Sequence, residues 1–530
     1  MLLIAKIDGW SERCPDRIAH QYRDIRMTYQ TLRTHSDALC LWLHEQVVAG
    51  GIPPKSPVIV YGHKRPGMIT SFLACSKAGH PYVPVDVSVP PERLRQIIES
   101  SGSRLLLATE TVPDTLDSSL LRCVKDVSPD SPCYATCLGQ VPPQDWQLQA
   151  DDVFYIIYTS GSTGAPKGVQ ITLRSLESFL NWVNNLYTPR ERVEVFLNQA
   201  PFSFDLSVMD LYMSLLSGAT LHSIDREQAA NLRELFISLG ESKVTYWVST
   251  PSFAEMCLAD RGFNAVLLPA VKYFLFCGEV LTNDTAARLK NRFPGTRVEN
   301  TYGPTEATVC VTNITVTTDL LEVYDPLPVG VAKPDCRLIV CRPEKLDQVV
   351  VEGTGPLSGP PESVPDGERG EIVIAEPSVS TGYLNDPGQT QRSFFAWEED
   401  GRVWRAYRTG DGGFWRNGLL FYQGRLDFQV KLHGYRIELG DIEENLRQVP
   451  GVENAVVLGV EQNGRIAYLK AFVTTGEPVT DEFAARLELR QSLEQRLPGY
   501  MVPRSFAFID RMPVTPNGKI DRRRLLGGPQ

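Results

Sequence analysis

The stretch Tyr158-Thr-Ser-Gly-Ser-Thr-Gly-Ala-Pro-Lys-Gly168 decides how the rest of the chain is interpreted. It follows the apolar run 153–157, which predicts a buried strand. Glycine lets the backbone approach a ligand closely, serine and threonine supply hydroxyl donors, and Lys167 supplies a positive charge. The stretch therefore predicts a phosphate-binding loop, although the spacing of a Walker loop is absent. A flexible Gly/Ser turn without a ligand is the alternative.

The composition indicates an ordinary globular protein with more than one domain. A chain of 530 residues exceeds what one core supports, and its 42% hydrophobic and 22% charged residues are typical of soluble proteins. The net charge of −10 disfavours nucleic acid and anionic membranes as partners. No apolar run could span a membrane, and residues 1–4 are too short for a signal peptide. The eleven cysteines lack metal-ligand spacing, so we expect reduced thiols and a cytoplasmic protein.

Strand-like and helix-like segments alternate along the first half of the chain. Apolar runs predict strands at residues 58–61, 83–86 and 105–108, and helix-like patterns cover residues 68–78, 93–100 and 173–183. Such alternation predicts an α/β fold with a largely parallel, doubly wound sheet. Residues 109–149 are rich in Pro, Asp and Ser, and we expect them to form a surface loop.

Two residues in the middle of the chain are candidate ligands. Asp205 lies between Phe204 and Leu206, and burying an unpaired carboxylate is costly. We expect Asp205 to have a cationic partner such as a substrate ammonium, although aspartate also caps helix N-termini well. Cys277 follows an apolar run and lies at the carboxyl end of a predicted strand, where open α/β sheets bind ligands. Taken alone, Cys277 is a small buried hydrophobic residue.

Asn300-Thr-Tyr-Gly-Pro-Thr-Glu306 is a second dense motif. The Tyr302 ring offers a flat surface for stacking on a base, and the adjacent backbone can bond to the edge of that base. Glu306 is a hard oxygen ligand suited to Mg²⁺ near phosphates. As an isolated string, the motif could equally be a turn with an exposed acid.

Three short motifs follow toward the C-terminus: Tyr407-Arg-Thr-Gly-Asp411, Gly424-Arg-Leu-Asp427 and Asn517-Gly-Lys519. Each has an ordinary interpretation on its own. Asp411 could form an Asx-turn, residues 431–436 could be a charged surface hairpin, and Lys519 could be solvent-exposed.

Together these motifs carry a family resemblance. All five occur, in this order, in the adenylate-forming superfamily, and the resemblance covers nearly the whole chain. That superfamily contains acyl-CoA ligases, luciferases and the adenylation domains of nonribosomal peptide synthetases. More narrowly, residues 198–210 and 276–279 resemble the ligases that charge a carrier protein with D-alanine for teichoic acid D-alanylation.

The resemblance implies a two-part architecture. Residues 1–426 would form an N-terminal core of two doubly wound sheets and a small β-barrel, which holds the ATP and amino-acid sites. Residues 427–530 would form a small mobile α+β domain that carries the catalytic lysine. Asp427 would be the hinge between them, and hinge motion lets one site serve two reactions.

The resemblance also implies a two-step reaction that requires ATP and Mg²⁺. The carboxylate of D-alanine would attack the α-phosphorus of ATP, and the D-alanyl group would then pass to the phosphopantetheine thiol of a carrier protein. Lys519 would bridge the substrate carboxylate and the α-phosphate, while Glu306 would hold the metal ion. Rotation about Asp427 would withdraw Lys519 and turn residues 431–436 toward the site.

The family motifs assign roles to residues of this chain. The implied ATP site comprises Thr159, Ser160, Gly161, Ser162, Thr163, Gly164, Lys167, Asn300, Thr301, Tyr302, Gly303, Pro304, Thr305, Asp411, Tyr422, Gln423, Gly424, Arg425 and Lys519. Within it, Asp411 would bind the ribose hydroxyls. The implied amino-acid site comprises Asp205, Leu206, Met209, Cys277, Val309 and Lys519, with Leu275, Thr301 and Cys310 also lining the pocket.

Bulky pocket residues favour a small substrate. Met209, Leu275 and Val309 would leave room for about a methyl group, since overpacking costs roughly 1–3 kcal/mol. Preference for the D form rests on the resemblance around Cys277 and Val309. The alternatives are an adenylating enzyme for another small amino acid, an acyl-CoA ligase, which the acid at Asp205 disfavours for fatty substrates, or a non-catalytic scaffold. We expect a monomer.

Overall fold

The computed structural model describes residues 3–114, 116, 121, 123–127, 131, 137–161, 164–187, 194–352, 355–375, 377–462, 465–513, 520–525 and 527. In this part of the chain, no helix combines the length and apolar character needed to cross a bilayer.

A six-stranded sheet leads into the Gly-rich stretch. In spatial order its strands are Cys123–Asp126, Leu105–Ala108, Val58–Tyr61, Tyr82–Val85, Val153–Thr159 and Lys167–Thr172. The first five run parallel and the last runs antiparallel. The strands predicted at residues 58–61 and 105–108 are confirmed, since both are apolar runs buried along their whole length.

The predicted surface loop 109–149 is wrong at one point. Cys123–Asp126 pairs in parallel with Leu105–Ala108 and extends the sheet at its edge. Only two apolar residues mark this strand in a polar neighbourhood, so pairing with Leu105–Ala108, and not local composition, decides its conformation.

A nine-stranded sheet supplies the second layer. In spatial order its strands are Val331–Ala332, Thr312–Thr315, Arg297–Tyr302, Tyr273–Phe276, Tyr246–Ser249, Val195–Asn198, Thr220–Ser223, Ile18–Tyr22 and Ile25–Thr28. The six strands from Arg297–Tyr302 to Ile18–Tyr22 are parallel, so their carboxyl ends share one edge. Asp205, Cys277 and the motif 300–306 are therefore brought to the same side of the sheet.

Helices connect the strands and supply apolar faces to the core. They span Leu3–Arg13, Tyr29–Val48, Pro66–Lys77, Pro91–Ser101, Leu173–Tyr187, Leu206–Ser217, Arg226–Ala230, Leu232–Ser242, Pro251–Leu258, Asn283–Arg292, Thr318–Val323, Pro343–Glu352, Pro387–Ser393, Leu439–Arg447, Glu482–Glu494 and Arg522–Leu525. The helices predicted at residues 68–78, 93–100 and 173–183 are confirmed, each within a few residues at its ends.

A third sheet corresponds to the expected small β-barrel. Its antiparallel strands are Arg337–Cys341, Gly370–Ala375, Arg402–Arg416 and Phe394–Glu399, and Leu419–Arg425 also pairs with the long strand Arg402–Arg416. A register shift after Asp411 lies beside its pairing with Arg425. This irregularity places two predicted nucleotide ligands next to each other.

The chain after Asp427 forms its own α+β unit. It contains the two-stranded hairpin Gln429–Leu432 and Tyr435–Glu438, and a three-stranded sheet of Val452–Gln462, Arg465–Thr475 and Ser505–Phe508. With the helices Leu439–Arg447 and Glu482–Glu494, these strands enclose a separate apolar core that includes Ile442, Leu446, Val457 and Leu469. The α+β character expected of this region is confirmed.

Candidate active site

The Gly-rich stretch is the turn of an antiparallel hairpin. Thr159 and Lys167 face each other as the last strand pair before the turn. A Cβ atom at Gly161 would collide with the Ala165 carbonyl oxygen, and Gly164 has a φ of 82°. Glycine is therefore required at both positions. Ser162 and Thr163 lie outside the described residues.

The C-terminal hairpin 429–438 lies directly over this turn. The Ser160 hydroxyl donates to the Arg436 carbonyl at 2.9 Å and accepts from the Glu438 N–H at 3.0 Å. Lys167 Nζ lies 3.6 Å from Glu438 Oε1 and 3.8 Å from Glu306 Oε1. Burial and the neighbouring Arg436 cation lower the pKa of Lys167. In this domain arrangement, C-terminal groups bind the donors predicted to hold phosphates.

Glu306 is buried and fully engaged. Its Oε1 accepts from the Tyr383 hydroxyl at 2.7 Å, and its Oε2 accepts from Arg436 Nη1 at 2.7 Å. Burial alone would raise the pKa of Glu306, but the Arg436 and Lys167 cations lower it to about 2. The carboxylate is therefore ionised at neutral pH, and the alternative of an exposed acid in a turn is wrong.

Asp411 and Arg425 form one buried network. Asp411 accepts from the Tyr302 hydroxyl at 2.6 Å and from Arg425 Nη1 at 2.9 Å. Burial would raise the pKa of Asp411, but the Arg425 and Lys431 cations lower it. Arg425 Nε also donates to Asp427 Oδ1 at 2.9 Å, so the predicted hinge is tied to the predicted ribose ligand. The Asp411 carboxylate thus bonds to Tyr302 and Arg425, which are distant in the sequence, and the Asx-turn alternative is not supported.

A cavity of about 480 Å³ joins the two predicted nucleotide motifs. The Tyr302 and Tyr422 rings lie 5.9 Å apart at one wall, and Lys431 Nζ lies 5.7 Å and 5.6 Å from their respective centres. The predicted ATP ligands that line the cavity are Asn300, Thr301, Tyr302, Gly303, Tyr422, Gln423, Gly424 and Arg425. The structure therefore brings together two motifs that are more than a hundred residues apart in the sequence.

A much smaller cavity of about 30 Å³ lies beside Asp205. Asp205 precedes the helix Leu206–Ser217, but its side chain makes no capping hydrogen bond, so the helix-cap alternative is not supported. Burial raises the pKa of Asp205 to about 6, although a hydrogen bond from Thr305 and the charge of Lys431 oppose that rise. The carboxylate remains ionised at pH 7 and faces a space that is large enough for a small group only.

The predicted pocket residues divide into two layers. Asp205, Leu206, Cys277 and Val309 line the small cavity, together with Gly303, Pro304, Thr305, Asp411 and Arg425 of the predicted ATP site. Met209, Leu275, Thr301 and Cys310 are not among the residues that line it, and all four are buried. The prediction that Met209 and Leu275 directly bound this cavity is therefore not supported, because both belong to the core behind it. The Cys277 thiol contacts the Val309 carbonyl oxygen at 3.6 Å.

The hairpin 429–438 faces the site, so the alternative of a charged surface hairpin is wrong. The Gly434 N–H donates to Glu279 Oε1 at 2.8 Å. A Cβ atom at Gly434 would collide with the Thr250 side chain, and the φ of 81° at this position also favours glycine. A tight glycine turn therefore lets the hairpin enter the space between the two parts of the chain.

Lys519 lies outside the described residues, as do Asn517 and Gly518. Nearby, the Asp521 N–H donates to the Pro513 carbonyl at 2.8 Å, and Ile520 packs against a cluster that includes Val456. Val456 and the next strand residue, Val457, belong to different apolar clusters and therefore face opposite sides of the sheet. Ile520 thus packs on the side of the sheet that faces away from the main core of the C-terminal unit. The role of Lys519 stays a prediction.

Sequence reasoning does not identify Tyr383 or Glu438, and it includes Arg436 only as part of the segment 431–436 that the resemblance turns toward the site. Tyr383 and Arg436 both bond Glu306, and Glu438 approaches Lys167. No local pattern marks Tyr383. Arg436 and Glu438 carried a signal in the alternation of charged and apolar residues along 429–438, but only the fold shows which partners they meet.

Comparisons with known proteins match this chain over nearly its whole length. The family described as AMP-binding enzyme matches residues 7–384, and AMP-binding enzyme C-terminal domain matches residues 441–519. A D-alanine–D-alanyl carrier protein ligase of Bacillus cereus is 47% identical over 530 residues, and the match covers 99% of each chain. The ligase of the same name from Bacillus cytotoxicus is 47% identical over 536 residues, with 99% of each chain covered.

Solved structures share the fold over almost the whole chain. Holo-PA1221, a protein with adenylation and PCP domains bound to a vinylsulfonamide inhibitor, has a TM-score of 0.81 at 27% identity, covering 99% of this chain and 84% of its own. The Vibrio cholerae adenylation domain AlmE, in complex with glycyl-adenosine-5'-phosphate, has a TM-score of 0.77 at 22% identity, covering 99% and 98%. The predicted α/β architecture is confirmed.

Proposed function

The chain belongs to the AMP-binding enzyme family and, within it, to the D-alanine–D-alanyl carrier protein ligases, and from this premise we propose that it uses ATP to convert D-alanine into D-alanyl-adenylate. The D-alanyl group then passes to the phosphopantetheine thiol of a carrier protein, which serves D-alanylation of teichoic acid or a similar polymer. The small cavity beside the buried Asp205 carboxylate is the observation that carries the proposal.

In the observed orientation, where Lys431, Gly434 and Arg436 of the hairpin also line it, that cavity favours a small substrate. Its volume of about 30 Å³ is roughly two to three times the 10–15 Å³ that one water requires on the same measure. A fatty acyl chain or an aromatic side chain does not fit such a space. The ionised carboxylate of Asp205 at the wall of this cavity suits the ammonium of a small amino acid.

The first step requires charge neutralisation more than covalent chemistry. The Thr159 hydroxyl is buried and lacks a partner within the described residues, so it is free to bind a phosphate oxygen. Glu306 is ionised and is a suitable ligand for a hard cation such as Mg²⁺. The described residues contain no group of three metal-ligating side chains. We therefore propose that oxygens of the nucleotide would complete the coordination shell of the metal ion. Bound Mg²⁺ would offset the negative charge of the phosphates. We assign Lys519 the stabilisation of charge on the α-phosphate.

The observed domain arrangement suits the second step. Arg436 bonds one carboxylate oxygen of Glu306, the residue that we assign to the metal ion, and Ser160 is bonded to the backbone of the hairpin. The hairpin and the phosphates of ATP therefore compete for the same groups. Asp427 lies between the third sheet and the hairpin. Rotation about Asp427 would move the hairpin away from these groups and let the phosphates of ATP bind them.

A second cavity supports the proposal that the phosphopantetheine thiol of a carrier protein reaches the site. It has a volume of about 560 Å³, and Phe204 lines both this cavity and the one beside Asp205. Its other walls include Pro201, Thr250, Met256, His433 and Tyr435. His433 and Tyr435 of the hairpin form part of this wall, so this side of the cavity is present only when the hairpin faces the site.

Pyrophosphate exchange tests the proposal. The purified chain is incubated with ATP, Mg²⁺, labelled pyrophosphate and either D-alanine, L-alanine, glycine or β-alanine. We expect exchange to be fastest with D-alanine, followed by transfer of label from D-alanine to a phosphopantetheinylated carrier protein. Faster exchange with another small amino acid would identify that amino acid as the substrate. Transfer to free CoA would favour an acyl-CoA ligase. If none of the four amino acids supports exchange, a non-catalytic scaffold is favoured. A monomeric, cytoplasmic enzyme is part of the same proposal.

A further inference from the structure

Arg93 links three parts of the molecule. It belongs to the helix Pro91–Ser101 in the large domain, and its Nη1 donates to the Gly164 carbonyl at 3.1 Å. Its Nη2 donates to Asp441 Oδ2 at 3.1 Å. Asp441 lies in the helix Leu439–Arg447 of the C-terminal unit. One guanidinium therefore contacts the Gly-rich turn and the other domain at once.

This contact is buried on both sides. The Arg93 side chain is 6% exposed and the Asp441 side chain is fully buried. Gly164 lies against the same helix, since a Cβ atom there would be 3.3 Å from Glu444 Cγ. Asn445 Nδ2 also donates to Asp441 Oδ1 at 3.1 Å, but Arg93 is the cation that pairs with this buried carboxylate, and a buried charge without a counter-charge is strongly unfavourable.

The contact depends on domain orientation. Arg93 and Asp441 are 348 residues apart and lie on opposite sides of Asp427. Rotation of the C-terminal unit about Asp427 would carry Asp441 away from Arg93, whereas the Gly164 carbonyl would remain. The bond between Arg93 and Asp441 thus forms only when the hairpin 429–438 covers the site.

We propose that Arg93 and Asp441 form a clamp that selects the orientation for thioester transfer, and that Arg93 couples this clamp to the Gly-rich turn. The inference rests on the proposed function for the identity of the two steps. Both are positioning residues, because neither contacts the reacting atoms. The planar fork of arginine can bind two acceptors in fixed directions, which a lysine ammonium does not reproduce.

The test uses the full-length enzyme with three variants: Asp441→Asn, Arg93→Lys, and the double variant of Arg93→Gln with Asp441→Asn. Pyrophosphate exchange with D-alanine reports the first step. Single-turnover transfer from preformed D-alanyl-adenylate to the carrier protein reports the second. We expect Asp441→Asn to leave exchange within about twofold and to slow transfer at least tenfold. Arg93→Lys should also slow transfer, and the double variant should be no more than about twofold slower than the slower single variant.

A matched control separates this role from general destabilisation. Asp37→Asn breaks another buried pair, in which Lys77 Nζ contacts Asp37 Oδ1 at 2.6 Å within the large domain. We expect this control to leave the ratio of transfer to exchange unchanged. Equal loss of transfer in Asp37→Asn and Asp441→Asn would overturn the clamp, as would transfer within twofold of wild type in both Asp441→Asn and Arg93→Lys.

Amide hydrogen exchange provides a readout that needs no activity. The hairpin 429–438 should lose protection in Asp441→Asn and keep it in Asp37→Asn. If the wild-type enzyme exchanges no pyrophosphate but the variant still uncovers the hairpin, the proposed function fails and the clamp stands. If activity is as proposed and hairpin protection does not change, the clamp is wrong.

Discussion

Replacing the Asp205 carboxylate with an amide of the same shape should make the protein more stable and less active. Asp205 is buried and lines the cavity that we assign to the substrate ammonium. In Asp205→Asn the size of the side chain is kept and the charge is removed. The two effects have opposite signs because the unliganded protein bears the cost of a buried charge, which Thr305 and Lys431 offset only in part.

The stability effect follows from the pKa of Asp205. Burial raises the pKa from 3.8 to about 6, a shift of about 2 units, and each unit corresponds to about 1.4 kcal/mol. The folded state therefore binds the proton more tightly than the unfolded state. The destabilisation is absent below pH 3.8, grows as the pH rises toward 6 and is complete above it, reaching about 3 kcal/mol. Asp205→Asn should recover up to that amount at pH 7.

The activity effect follows from the lost ion pair with the substrate. Removing one partner of a buried ion pair costs about 3–5 kcal/mol, which corresponds to roughly a hundredfold to five-thousandfold loss in kcat/KM. The loss should affect every amino acid with an α-ammonium. It should not prevent ATP from binding.

Urea unfolding at pH 5 and pH 7 and pyrophosphate exchange with D-alanine measure the two effects. Asp210→Asn is a matched control, because Asp210 is buried in the helix that Asp205 precedes and accepts a hydrogen bond from Asn198 Nδ2 at 2.9 Å, but does not line the cavity. We expect this control to keep its specificity for D-alanine. Unchanged kcat/KM in Asp205→Asn would refute the assignment of the ammonium site, and a destabilised Asp205→Asn protein would refute the reasoning about its buried charge.

Three further predictions follow from the same site. The KM for D-alanine should rise as the pH falls below about 6, because protonation of Asp205 removes its charge; a KM that stays flat between pH 5 and pH 7 in the exchange assay would contradict this. Lys519→Ala should abolish exchange with D-alanine while equilibrium binding of ATP is retained, and normal exchange would show that Lys519 has another role. Val309→Ala should widen the cavity and raise activity with D-2-aminobutyrate relative to D-alanine about tenfold, since one methylene is worth about 1–3 kcal/mol; an unchanged ratio would place the side chain of the substrate elsewhere.

The local sequence pattern predicts a strand correctly where every residue of the strand is apolar and buried. Val58–Tyr61 and Leu105–Ala108 are apolar at every position and buried at every position, so four residues were enough to identify each strand. Cys123–Asp126 shows the limit, since its strand exists because of its neighbour Leu105–Ala108. The Gly-rich stretch was identified as a turn with special chemistry, but its antiparallel return strand Lys167–Thr172 was not predicted.

The motifs of the candidate site were found from the sequence, whereas their partners were not. Glu306 meets Tyr383 and Arg436 across 77 and 130 residues, and Arg93 meets Asp441 across 348. Such pairs depend on how sheets and domains are arranged, and a window of neighbouring residues contains no information about them. The orientation of the hairpin 429–438 is a property of two domains together and could be predicted only through the family resemblance.

The most direct measurement is the identity of the adenylate that the purified enzyme makes. The enzyme is incubated with ATP, Mg²⁺ and an equimolar mixture of small and large amino acids in both chiral forms, and the acid-quenched products are identified by chiral chromatography and mass spectrometry. We predict that D-alanyl-adenylate dominates. An adenylate of a large amino acid, or the absence of any aminoacyl-adenylate, would contradict the assignment of the cavity beside Asp205.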